Sequence, residues 1–131
     1  MTVADAPSAP VDVSGFAPVW DLAALDAVTE TVVSRVLIDK APARRVAADL
    51  AAQLCRERPD LPALALALPF TLAAAAIDEM LGGGAEARQA AADAWRAAAL
   101  IGAEALALRA NGSDLIGDLA RHWQSGDELF G

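Results

Sequence analysis

Leu22, Leu25, Thr29, Val32 and Val36 recur at steps of three and four, the spacing that lines one face of an α-helix and makes a bundle seam. This predicts a first helix from Asp21 to Ile38, with the Asp21 carboxylate at its cap. The β-branched run from Val28 to Ile38 leans toward a strand, but the seam decides for helix. Val46, Leu50 and Leu54, with Ala43 and Ala47 beside them, predict a second helix from Pro42 to Glu57, opened by a first-turn proline and ended by Pro59.

A third, almost uncharged helix is predicted over 61–81, with Asp60 as cap and Gly82 as stop. Pro69 lies inside it and should kink or split it, because proline removes a backbone hydrogen bond and crowds the preceding turn. The alternation Ala63 to Leu68 has period two, but a lone strand in a helical chain has nothing to pair with. The glycines at 82–84 form a loop, and a fourth helix follows from Ala85 to Ala110, mostly alanine, ended by Asn111 and Gly112. A fifth, from Asp114 to Gln124 with Ser113 as cap, shows the stripe Leu115, Ile116, Leu119 and Trp123.

The expected fold is all-α: one bundle domain over 19–125 of about five helices, mostly antiparallel in up-and-down order with short loops, helix 61–81 being central and kinked near Pro69. Residues 1–18, rich in Ala, Pro, Ser and Asp, read as a flexible tail, and 126–131 as a short second one. Phe16, Val19 and Trp20, where the first tail meets the bundle, either cover one end of the core or form a docking motif for a protein partner.

Composition agrees with helix, since alanine, the best helix former, makes up about a quarter of the chain. The 131 residues carry a net charge of -8, which argues against nucleic-acid partners and polybasic attachment to membranes. The apolar run 61–77 contains two prolines and is mostly alanine and leucine, so it reads as a core helix and not a membrane span. One cysteine and one histidine exclude an internal disulfide, a cysteine-rich zinc site and any site needing two imidazoles. The first residues lack the pattern of an export signal, and free Cys55 suits a reducing compartment, so a cytoplasmic location is expected. Neither a phosphate-binding glycine motif nor a paired-histidine or paired-cysteine motif occurs, and no cofactor is expected.

A few charges invite chemistry. Arg44 and Arg45 stand at the positive start of helix 2, Asp78 and Glu79 at the negative end of helix 3, each against the helix dipole. A hairpin of helices 2 and 3 would pair them. Glu104 is the single ionisable residue from Ala97 to Leu108. It either faces solvent or is buried and needs a partner, for which His122 or Arg121 is the candidate. Asp114, Asp118 and His122 share one helix face at i, i+4 and i+8. Glu104, Asp118 and His122 together would suit a divalent metal or acid–base chemistry.

Two functions follow. The first is a non-enzymatic cytosolic interaction module (adaptor, regulator or accessory subunit) that binds another protein or a second copy of itself. The alternative is a bundle that binds a small molecule or metal, or acts catalytically, through Glu104, Asp118 and His122.

Overall fold

A computed structural model describes residues 19–80 and 84–124 of the chain. The two tails, Phe16 and the Gly82 stop lie outside the described residues. Within them the protein is an all-α bundle of five helices: α1 (Leu22–Val33), α2 (Ala43–Glu57), α3 (Ala67–Asp78), α4 (Gly84–Ala110) and α5 (Ile116–Gln124). The Asp21 carboxylate accepts from the Ala24 amide, as a cap should. The predicted first helix changes character at Val33, and Ser34–Ile38 wind as a π-helical turn. The Asp39 amide donates to the Ser34 carbonyl and the Ala41 amide to the Arg35 carbonyl. Between them Lys40 adopts the left-handed conformation, φ 59°.

The predicted helix 61–81 is also divided. Ala63–Leu66 form a 3₁₀ turn and α3 starts at Ala67. Pro69 therefore falls in the first turn of α3, where a missing N–H leaves no hydrogen bond unmade. Asp60 does not cap this segment; it lies 3.7 Å from Arg58. The segment opens instead with a tie between distant backbones. The Ala63 amide donates to the Asp114 carbonyl (2.8 Å) and the Ile116 amide to the Leu61 carbonyl (2.7 Å), an antiparallel bridge centred on Pro62 and Leu115. The same tie starts α5 at Ile116 and not at Asp114, and leaves Leu115 half-exposed ahead of the helix.

This tie overturns the expected hairpin of helices 2 and 3. It carries the chain from the end of α2 across to the start of α5, so α3 packs on α4 and α1, while α2 packs on α5 and α4. α3 and α4, neighbours in sequence, do pack together, but α2 packs extensively on neither α1 nor α3, contrary to simple up-and-down order. No ion pair joins Arg44 or Arg45 to Asp78 or Glu79.

The core is built from Leu25, Val32 and Val36, the α2 face Val46, Leu50 and Leu54, then Leu61, Leu66, Phe70, Ile101, Ile116 and Leu119. Leu22, expected on the α1 seam, is 75% exposed. α2 and α5 approach closely because Gly117 has no side chain: a β-carbon there would stand 3.2 Å from the Cys55 Sγ. Among the described residues no helix is long and apolar enough to cross a membrane.

Candidate functional site

α4 is the longest helix and touches α1's π turn, α2, α3 and α5, so each of its faces meets a different environment. Ala87, Ala91, Ala94, Ala98, Ile101 and Ala105 point into the bundle. Glu104 shares that inward side and is 6% exposed. Its Oε1 lies 2.7 Å from His122 Nε2, the two side chains being 7% and 32% exposed. A carboxylate withdrawn from water needs such a partner, and α5 supplies it from its last turn. The buried orientation of Glu104 and its pairing with His122 are thus both realised.

The other candidate carboxylates hold partners of their own. Asp118 holds Arg121 in an i, i+3 pair and accepts from the Leu115 amide through its second oxygen. Asp114 holds Arg109 at 3.1 Å. Among the described residues no group of three or more His, Cys, Asp or Glu side chains converges as metal ligands would. Glu104 and His122 therefore meet, and with Asp118 they make no metal-like group of three. Cys55 lies against Gly117 on α5.

Trp20 is buried, and its indole N–H donates to the Ala65 carbonyl at 3.0 Å. Val19 is half-buried, and its carbonyl accepts from Arg58 at 2.8 Å. Of the two readings open for this segment, the structure gives Trp20 to the core. Beside it a groove of about 320 Å³ runs between α1 and α2, over Val28, Leu50 and Leu54.

Two features were not anticipated. The first is Asp93. Pro42 offers α2 no side-chain cap, and the first turn of α2 contains no acid. Asp93 reaches across from α4, and its Oδ2 accepts from the Ala43 amide at 2.8 Å. A carboxylate at a helix start satisfies an orphan N–H and faces the positive end of the dipole. This is how the molecule accommodates Arg44 and Arg45. Asp93 also lines a larger open groove of about 670 Å³ with Lys40, Glu86 and Arg96, along the π turn.

The second is the outward side of α4. Since Glu104 points inward, the solvent face of α4 from Ala97 to Leu108 carries no ionisable group at all. It presents Ala99, Gly102, Ala103 and Leu106, with Trp95 just before them. Trp95 is 42% and Leu106 55% exposed. A β-carbon built on Gly102 would meet nothing within 4 Å. The signal was in the sequence as the 4-3-4 spacing of Trp95, Ala99, Gly102 and Leu106. What the spacing lacked was the direction in which Glu104 points.

Comparison with protein-family models, with curated proteins and with solved structures finds no match for this chain.

Proposed function

We propose that the protein is a non-enzymatic interaction module that engages a protein partner through the outward face of α4. One observation carries this reading: the sole charge of a twelve-residue stretch is turned into the core, and a tryptophan and a leucine face solvent. An isolated bundle gains nothing from that arrangement, since exposed helix faces normally carry the charges. Apolar patches of this kind mark interaction surfaces, and tryptophan is among the residues that dominate binding energy there. The alternative built on Glu104, Asp118 and His122 has only a two-residue pair to stand on. We place the module in the cytosol, where its unpaired cysteine suits a reducing milieu.

A photo-cross-linking residue placed at Ala99, and for comparison at exposed Arg45 on α2, tests the reading in cells expressing the protein. A discrete adduct is expected at position 99, absent at 45 and abolished by Leu106→Asp. Absence of an adduct at 99, or the same adducts at both positions, would refute it.

A further inference from the structure

We propose that the partner is a second copy of this chain, docked α4 against α4 in antiparallel fashion about a two-fold axis midway between Leu100 and Ile101. The inference rests on reading the outward face of α4 as an interaction surface and names its occupant. A two-fold interface must be complementary to itself, each residue meeting its counterpart twice. The face has that property. Trp95, Ala99, Gly102 and Leu106 follow a spacing that reads the same in both directions, large, small, small, large. The axis sets Trp95 against the partner's Leu106 and Ala99 against the partner's Gly102, and symmetry repeats both pairs.

The order of sizes fits the geometry of two crossing helices. Their axes are closest at the crossing point and diverge on either side. Small residues belong at the centre, where Ala99 and open-sided Gly102 lie. Bulky ones belong at the ends, where half-exposed Trp95 and Leu106 fill the widening gap. About 16 Å separates Trp95 from Leu106 along the axis at 1.5 Å per residue.

Charge adds a second, separate argument. Arg88 lies two turns before Trp95 on the same side of α4, is exposed, and forms no salt bridge with any described residue. In the antiparallel arrangement it comes level with the turn that ends the partner's α4, beside Asp114, which is 52% exposed and holds its own Arg109 through Oδ1, leaving Oδ2 for a second cation. Two such pairs would close the apolar centre at both ends.

Area sets the class of contact. A helix about 40 Å long and about 10 Å wide offers a footprint of at most about 400 Å², against about 800 Å² per partner in a standard stable interface. The dimer therefore belongs with weak, reversible contacts, and a dissociation constant in the micromolar range or above is expected.

Sedimentation velocity on the full chain from about 5 to 500 μM should show a monomer passing to a dimer. Leu106→Asp should weaken association at least tenfold without changing the helical circular dichroism. Gly102→Leu serves as an independent variant: alone, the monomer has room for leucine and should melt at a higher temperature, because glycine is a poor helix former. The same side chain blocks the crossing point and should abolish the dimer. In a Cys55→Ser background, Ala92→Cys protein mixed with Ala110→Cys protein should form a mixed disulfide, while neither links to itself. Strict monomer throughout the range, same-site disulfides only, or a Gly102→Leu protein that still dimerises would each overturn the proposal. The photo-adduct at Ala99 separates this inference from the reading beneath it. An adduct of twice the chain mass supports both, a single adduct of another mass refutes the self-pairing alone, and no adduct refutes both.

Discussion

Lys40 adopts a conformation that glycine reaches at no steric penalty. Its φ of 59° ends the π turn, and the Ala41 amide closes back onto the Arg35 carbonyl, an arrangement akin to the left-handed cap at which glycine is preferred. The Lys40 ammonium reaches Glu86 at 3.5 Å, with both side chains largely exposed, and such a pair contributes little. Lys40→Gly should therefore stabilise the fold by about 0.5–1 kcal/mol, read as a higher urea midpoint at unchanged slope. A second residue-scale test concerns Thr29, whose hydroxyl is buried with no hydrogen-bond partner. Thr29→Val keeps the shape and removes the desolvated oxygen, so it should add about 1 kcal/mol. A loss of stability in either variant would contradict the local geometry described above.

At the scale of elements, α2 depends on α4 for its start. Asp93→Ala should cost about 1–2 kcal/mol by leaving the Ala43 amide uncapped beside two arginines, and Asp93→Asn distinctly less. Chemical denaturation of the two variants measures the difference. The α4–α5 contact is asymmetric in a similar way. His122→Ala leaves the buried Glu104 carboxylate without its imidazole and should cost about 1–3 kcal/mol. Glu104→Leu removes the acid and leaves a partly exposed histidine that water can reach, so it should stay within about 1 kcal/mol of the parent protein. The reverse order of the two losses would disprove the burial argument.

The same elements show what was legible in the sequence. The α2 face Val46, Leu50 and Leu54 could be read because charged residues fill the opposite side. The turn at Asn111 and Gly112 offered His122 or Arg121 as the partner of a buried Glu104, and His122 is the one that meets it, but the burial itself was not legible, because alanine is equally at home inside and outside and gives α4 a weak phase. The pairing of Arg44 and Arg45 with Asp78 and Glu79 was inferred from a short connection. It failed because the connection is bound to 114–116 by backbone groups, which no side-chain pattern announces. Asp93 escaped notice because a cap supplied from fifty residues away leaves no local signature. The π turn likewise had none, its side chains continuing the α1 seam.

For the molecule as a whole, charge is a burden carried on the surface. The chain has a net charge of -8, and its ion pairs apart from Glu104–His122 involve mostly exposed side chains. Like charges spread over a small body repel one another and destabilise the compact state, and salt shortens the reach of that repulsion to about 8–10 Å at physiological strength. Thermal stability should therefore rise by a few degrees between about 10 and 200 mM sodium chloride. A fall over the same range would mean that specific ion pairs outweigh the net repulsion.

The bridge between Leu61–Ala63 and Asp114–Ile116 bears on how the chain comes off the ribosome. α2 finds its cover in α5, the last described helix, and about 67 residues are still to be translated when α2 is complete. At about 5–20 residues per second the wait is roughly 3–13 s. α3 and α4 are made during that wait and α4 covers part of α2, but until α5 emerges the Val46, Leu50 and Leu54 face lacks its main cover. A nascent chain stalled before Ile116 should thus be sticky and in need of a chaperone, and release of the final segment should be the event that makes it safe.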